Sequence, residues 1–525
     1  MMRREFNTTG SCNPQQHYMV DTTKRFEAVE SLIEKGKYFT INRARQYGKT
    51  TMLDMIWRKM SGNYLVIGTS FEGVGNESFH GQETFVQTFA KLMLRELEKE
   101  SDELKAIWRD ESIKDFSTLS QTITTFCQTY SKPVVLLIDE VDKSSDNDTF
   151  IAFIGMLRNK YLERNRQGMD STFLSVVLAG VYDVKNLKLR LRPDAERKYN
   201  SPWNIAADFN VDMTFHPDEI AQMLADYEND NHTGMDRRAI SEEIYKYTTG
   251  YPYLVSYICK AIDEQMQREW TSESIVKAVK MLVEGGSTLM DDLSKNLENN
   301  AEFREFMFSV AVNGVSYPFS LLNPMVNMGN MFSYIRKTDG HVAIHNLIFE
   351  EALYLYFTLD YTMKNSTRLA PFQMSYVHGG RLDMEHVVTR FRDLLREEYR
   401  DSTVPFLERE GRLLLLTFLK PIINGVGFYY VEPQTRSNRR MDLVVTYGKE
   451  EFIVELKIWR GDTYEEQGRD QLAGYLATRG KNEGYLITFD FSKPVVGEAS
   501  KLCTRQDEEP HWTEHLGKRI FEVVV

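Results

Sequence analysis

The sequence predicts an α/β protein with two sheet-bearing regions separated by a helical middle, and three observations carry that prediction. Short apolar strands alternate with amphipathic helical stretches through the first part of the chain, the pattern of a parallel sheet with crossover helices. Two runs there, 133–138 and 173–179, are almost unbroken apolar sequence, which suits strands buried on both faces. Beyond a helical stretch, a second set of strands with alternating charged and apolar residues appears between 427 and 489.

At 525 residues the chain exceeds what one hydrophobic core holds, so two to four domains are expected. Its 42% hydrophobic and 27% charged residues are those of an ordinary globular protein, which excludes a disordered or fibrous chain. Cys12, Cys127, Cys259 and Cys503 lie far apart with no C-x-x-C pair, so neither a disulfide framework nor a zinc ribbon is indicated. The opening Met1-Met2-Arg3-Arg4 leads into polar Asn7-Thr8-Thr9-Gly10 rather than an apolar stretch, and no run approaches the roughly 18 apolar residues of a membrane span. A cytoplasmic protein with no membrane partner is the expectation. The net charge of −12 argues against a surface that grips any nucleic acid through general phosphate neutralisation, while leaving room for a local basic groove.

In order along the chain, 37–41 reads as a strand, 50–60 as a helix and 64–67 as the next strand. Helical spacing follows over 85–97 and 116–130, then come the two apolar strands. From 217 to 280 the pattern is helical, broken at Thr249-Gly250-Tyr251-Pro252 where Gly and Pro interrupt it. Residues 301–357 combine helical periodicity with a hairpin that turns at Asp339-Gly340, an arrangement that fits a winged helix. The stretch 365–380, with Pro371 and Gly379-Gly380, reads as a linker. Helices at 384–399 and 409–418 then precede strands at 427–432, 441–446 and 451–458, a helix at 463–479 and a strand at 483–489.

Gly48-Lys49-Thr50-Thr51 follows a strand and opens a helix, the context of a phosphate-binding loop. There the backbone N–H groups of Arg45, Gln46, Tyr47 and Gly48 would face phosphates, Lys49 would reach the β- and γ-phosphates, and the Thr50 hydroxyl would ligate Mg²⁺. Thr51 continues the same first turn. The loop departs from G-x-x-x-x-G-K-[ST] at its first position, where Arg43 stands in place of glycine. Further on, Asp139 and Glu140 end the apolar strand 134–138. Asp139 would hold Mg²⁺ through water, and Glu140 would orient or deprotonate the attacking water. ATP and Mg²⁺ are therefore the expected cofactors. Arg190, Arg192 and Arg197 follow the next strand, where either an arginine finger or a solvated basic loop is consistent with the sequence.

A second constellation lies near the C-terminus. Asp442 begins one strand, Glu455 and Lys457 share a face of the next, and a turn at Gly448-Lys449 pairs the two strands. Asp442 and Glu455 would ligate Mg²⁺ beside a phosphodiester, and Lys457 would position the nucleophile and offset negative charge. Glu410 on the preceding helix could complete the metal shell, with Glu408 as an equal alternative, and Gln471 heads the following helix, where its amide could touch the site. Arg436, Arg439 and Arg440 are candidates for backbone phosphate contacts or for a solvated basic turn.

On Arg43-Ala44-Arg45-Gln46-Tyr47-Gly48-Lys49-Thr50, Leu137-Ile138-Asp139-Glu140 and Met441-Asp442 with Glu455-Leu456-Lys457, the chain resembles bacterial AAA-ATPase-like proteins with a C-terminal domain of the PD-(D/E)xK nuclease superfamily. The resemblance implies a P-loop NTPase core of AAA type over 1–215, a helical lid over 216–299, a winged helix over 300–364, a linker over 365–380 and a restriction-endonuclease-like α/β domain over 381–525. It carries nucleotide roles to Lys49, Thr50, Asp139 and Glu140, and metal and catalytic roles to Asp442, Glu455 and Lys457. The superfamily's proline before the first Asp is Met441 here.

The expectation is an ATP-regulated, Mg²⁺-dependent nuclease acting on nucleic acid, DNA before RNA, in defence against foreign elements, with homo-oligomerisation open. The alternative from another class is an ATP-driven signalling or scaffold switch whose C-terminal domain binds nucleic acid or protein without cutting. A motor or loader that moves nucleic acid is a third, for which the sequence shows no helicase features.

Overall fold

The computed structural model describes residues 4–141, 148–166, 170–181, 203, 205–312, 315–364, 376–399, 408–423, 427–431, 443–448, 450–459, 462–490 and 508–525. The chain forms two compact units, Met1–Ala278 with Met331–Ser333, and Val279–Asn330 with Tyr334–Val525.

In the first unit, α1 (Thr23–Glu34) buries Arg25, Phe26, Val29 and Ile33, a stripe at helical spacing. Then follow β1 (Phe39–Asn42), α2 (Lys49–Met60), β2 (Leu65–Ser70), α3 (Gln82–Glu96), α4 (Asp102–Trp108), α5 (Phe116–Thr129), β3 (Val134–Asp139), α6 (Asp148–Asn165) and β4 (Ser175–Gly180). The four strands form a parallel sheet in the order β1-β4-β3-β2. Every residue of β3 and β4 is buried, as their apolar runs predict. One layer of the core is aromatic, with the Phe85 ring within 6.5 Å of Phe71, Phe79, Phe89, Phe116 and Phe153.

Helices α4 and α6 escape a reading by periodicity. Helix α4 is a single short element opened by a Ser101 cap. Helix α6 buries Phe150, Ile151, Phe153, Ile154, Leu157, Lys160 and Tyr161, a stripe at helical spacing that the charge of Lys160 inside it and the exposed Leu162 outside it obscure in the sequence. Lys160 is tolerated in that core because its ammonium donates to Asp170 and Thr124, each at 2.7 Å, and to the Ser120 carbonyl at 3.0 Å.

Helices α7 (Pro217–Asn231), α8 (Arg237–Thr248) and α9 (Pro252–Gln265) complete this unit, and α10 (Ser272–Glu284) contains the division. The break anticipated at 249–252 is real: Thr249 and Gly250 take φ of 47° and 72°, and Pro252 opens α9. The two compact units divide at 278/279. A helical stretch carries no local signal of which core its residues join.

In the second unit, α11 (Thr288–Asn299), α12 (Ala301–Ala311) and α13 (Pro324–Met331) lead to the hairpin β5 (Ile335–Thr338) and β6 (His341–Ile344), which turns at Asp339-Gly340 as expected. Helix α14 (Leu347–Lys364) follows. The expected linker 365–380 is corrected at its end. Val377–His378 (β7) and Arg381–Leu382 (β8) pair across Gly379-Gly380, whose φ of 59° and 79° suit the two-residue hairpin turn that a glycine pair permits. Residues 365–375 lie outside the described residues.

Helices α15 (Met384–Tyr399) and α16 (Glu408–Ile423) precede β9 (Gly427–Val431), β10 (Leu443–Tyr447), β11 (Glu450–Ile458), α17 (Asp462–Thr478) and β12 (Glu483–Phe489). Two further strands, β13 (His511–His515) and β14 (Lys518–Val524), were not anticipated; they turn at Leu516-Gly517 and complete a six-stranded mixed sheet, β13-β14-β12-β11-β10-β9. Strand β11 is antiparallel to β10 and parallel to β12. Ile453, Leu472, Leu476, Leu486 and Ile520 form a core where α17 covers this sheet. Among the described residues, no helix is long and apolar enough to cross a membrane.

Candidate functional site

Two constellations of side chains are built, one in each unit. In the first, the chain leaves β1 and bends through Gln46 (φ 58°) and Gly48 (φ 80°) before α2 begins at Lys49. Gly48 in the left-handed region needs no Cβ, and the nearest atom one would meet is the Met213 methyl at 3.9 Å, so conformation rather than crowding requires glycine. A helix N-terminus is where backbone N–H groups and the helix dipole favour an anion.

Lys49 is buried, and its ammonium donates to the carbonyls of Arg43 and Ala44, both at 2.9 Å. The Thr50 hydroxyl donates to Asp139 Oδ2 at 2.9 Å, and Asp139 Oδ1 accepts from the Glu140 N–H at 2.9 Å. Asp139 ends β3, and Glu140 immediately beyond it takes φ of 54°. That is the left-handed region, unusual for Glu, and such conformations gather at functional positions. Strand β4 lies between β1 and β3, so Asp139 reaches Thr50 across the end of an intervening strand. A hydroxyl and a buried carboxylate side by side at a helix N-terminus, with an ammonium one residue away, fit Mg²⁺ and a nucleotide's phosphates by donor type.

The other residues of the loop are engaged by its surroundings. Arg43 donates to the Val211 carbonyl at 2.6 Å and stands over Phe209, and burial holds its guanidinium pKa below the usual value. The Arg45 carbonyl accepts from the Tyr251 hydroxyl at 2.6 Å. The Tyr47 ring meets the Tyr251 ring edge-on at 4.5 Å, and burial raises the Tyr47 phenol. Thr51 Oγ1 accepts from the Cys12 N–H at 3.1 Å. Tyr251 was missed from sequence: its contact spans 206 positions, and no local pattern reports that. Arg190, Arg192 and Arg197 lie outside the described residues.

In the second unit the expected hairpin is present, with Tyr447 opposite Glu450 and Leu443 opposite Val454. Glu455 is buried, its Oε1 lies 2.6 Å from Lys457 Nζ, and that ammonium also donates to Gln471 Oε1 at 2.6 Å. The structure therefore brings Glu455, Lys457 and Gln471 together. Gln471 does not head its helix as the sequence reading had it, because α17 begins at Asp462 and delivers Gln471 from beyond its midpoint. Gly468, one turn earlier, makes this approach close, since a Cβ there would stand 3.2 Å from Lys457 Cγ. Asp442, Arg436, Arg439 and Arg440 lie outside the described residues, and Glu410 falls within α16.

The AAA-like domain family matches residues 9–320, more than half of the chain. Solved structures with similarity include a Walker-type ATPase of Pyrococcus abyssi, at 11% identity and TM-score 0.48, covering 66% of this chain and 99% of that one. The ORC2 protein of Aeropyrum pernix, in ADPNP–ADP complexes, is also similar at 11% identity and TM-score 0.38, covering 70% and 99%. The ORC1 protein of the same organism, in complex with DNA, follows at 11% identity and TM-score 0.30, covering 66% and 95%. No curated protein matches the chain. The chain belongs to the AAA-like domain family, and its N-terminal region is a P-loop ATPase domain.

Proposed function

We propose that this protein is an ATP-regulated, Mg²⁺-dependent nuclease that hydrolyses phosphodiester bonds in DNA. In this reading residues 1–215 are the ATPase core, 216–299 a lid, 300–364 a winged helix and 381–525 the nuclease domain. The observation that carries it is the Lys457 ammonium held 2.6 Å from both Glu455 and Gln471. A buried carboxylate paired with a partly buried ammonium is expensive to desolvate, and apolar residues of similar volume would commonly serve stability as well. Their presence beside a helix, where strands β9, β10 and β11 run antiparallel and β12 returns parallel, favours a catalytic purpose. The order α16-β9-β10-β11-α17-β12 supports the superfamily resemblance.

Glu455 and Asp442 would hold Mg²⁺; Asp442 directly precedes Leu443, whose partner Val454 directly precedes Glu455. When bound, the metal supplies Lewis-acid polarisation of the phosphodiester and a more acidic water. Lys457 holds the nucleophilic water and offsets charge on the phosphoryl oxygens, while Glu455 and Gln471 fix where its ammonium stands. In the ATPase domain Lys49 neutralises the β- and γ-phosphates, Thr50 and Asp139 offer oxygen ligands, and Glu140 orients the attacking water. Loop residues Arg43, Arg45, Gln46, Tyr47 and Thr51 complete the nucleotide's surroundings.

The coupling is tested with labelled single- and double-stranded DNA and RNA, Mg²⁺, and ATP present or absent, comparing wild type with Lys49→Ala. DNA cleavage that responds to ATP in wild type and ceases to respond in Lys49→Ala supports the proposal. Cleavage indifferent to both ATP and Lys49→Ala removes the regulation, and no cleavage of any nucleic acid removes the nuclease.

A further inference from the structure

We propose a second metal site, for a divalent ion of the zinc class, formed by His378, Asp383 and His386 at the β7–β8 hairpin and the start of α15. One ligand atom from each lies within 4.8 Å of the others. A tetrahedral ion bound at about 2.1 Å to each needs donor separations of about 3.4 Å. Small rotations of two exposed imidazoles and one partly exposed carboxylate close that difference.

The three residues come from different pieces of backbone that are already fixed. His378 is held by the Gly379-Gly380 turn, which pairs His378 with Arg381. The Asp383 N–H donates to the Tyr376 carbonyl at 2.9 Å, and Asp383 Oδ1 accepts from the His386 N–H at 3.0 Å, so the carboxylate caps α15 and is aimed at its first turn. The Tyr376 ring packs edge-on against the His386 ring at 5.1 Å and also against Phe418 of α16 at 6.1 Å. The imidazole is thereby braced by a buried aromatic that is itself anchored.

The donor set selects the ion. Mg²⁺ and Ca²⁺ take oxygen ligands, whereas two imidazoles with one carboxylate suit zinc-class ions. Three protein donors leave one position for water. An ion here ties the hairpin to the helix through side chains separated in sequence by no more than eight positions, a short loop that costs little entropy to close. The site is separate from the Glu455 and Lys457 constellation and does not depend on the nuclease reading.

The test uses the full chain, stripped by a chelator and kept in excess Mg²⁺ so that oxygen-rich sites are filled. Co²⁺ titration followed by visible absorption, and Zn²⁺ retention after dialysis, are compared for wild type, His378→Gln, Asp383→Asn and His386→Gln. Asp383→Asn preserves the helix cap while removing the charge. Wild type is expected to keep a single tight equivalent, and each variant to bind at least roughly tenfold more weakly. Amide exchange over 376–386 is expected to slow on adding Zn²⁺ to wild type alone. Unchanged affinity in the variants, no retained Zn²⁺ in wild type, or slowing confined to other segments overturns the site.

Discussion

Replacing Gly250 by Ala tests how α9 is seated against the phosphate-binding loop. Gly250 has φ of 72°, and a Cβ there would lie 2.1 Å from the Phe215 carbonyl oxygen and 2.9 Å from the Phe215 nitrogen. A non-glycine residue in the left-handed region costs about 1–2 kcal/mol. Overpacking against backbone that cannot swing aside adds about 1–3 kcal/mol. The Phe215 N–H donates to the Gly250 carbonyl at 2.8 Å, and displacing it forfeits about 1 kcal/mol more. The total is on the order of 4 kcal/mol, or roughly 10 °C in the melting of this unit. Gly234 is the control: its φ is 77°, but a Cβ there meets nothing within 4 Å, so Gly234→Ala is expected to cost only the conformational part, about 1–2 kcal/mol. Because Tyr251 follows Gly250 and holds the Arg45 carbonyl, Gly250→Ala is also expected to weaken ATP binding. Differential scanning calorimetry and nucleotide titration read both effects. Equal melting temperatures for the two variants, with unchanged nucleotide affinity, would refute the reasoning.

Acid should loosen the first unit through Glu219. Burial raises its pKa, but Arg25 at 2.7 Å and the His216 N–H outweigh that and leave it lowered. A lowered folded value means stability present above the unfolded pKa of about 4.3 and lost as pH falls through the folded one. Glu219→Gln should therefore cost about 1 kcal/mol at neutral pH and flatten the loss below pH 4 in urea melts; an unchanged acid profile would contradict this. At the nucleotide site, Glu140→Gln should slow ATP hydrolysis about 10²- to 10⁴-fold with binding retained, and Thr50→Ala should raise the Mg²⁺ requirement, both read by phosphate release. Full hydrolysis by Glu140→Gln would remove its assigned role.

Much of the architecture was legible because local patterns encode it. The turn at Asp339-Gly340, the helix Met384–Tyr399 and the strand Glu483–Phe489 follow from turn chemistry and apolar period. So does the loop before Lys49 and the strand that ends at Asp139. What escaped depends on distant partners. Helix α6 carries Lys160 inside its buried stripe, satisfied by Asp170, and Leu162 exposed outside it, so its apolar period is masked. Strands β13 and β14 mix charged and apolar residues, since Glu522 is buried yet satisfied by Arg469 at 2.7 Å. Gly379-Gly380 reads as a linker or a hairpin turn until the pairing of Val377 with Leu382 decides it. At the sites, residue types were readable but the exact engagement was not: Gln471 was expected near the site, without a sign that Lys457 is its donor, and Tyr251 gave no sign that it grips Arg45.

The most direct measurement is single-turnover cleavage of labelled duplex DNA in Mg²⁺ by wild type, Lys457→Met and the double variant Glu455→Gln/Lys457→Met. The double variant leaves no unpaired buried charge, so its circular dichroism and ATP binding should match wild type. Loss of at least about 100-fold in cleavage rate by both variants, in folded protein, is the predicted result. Wild-type cutting by folded Lys457→Met would contradict the account.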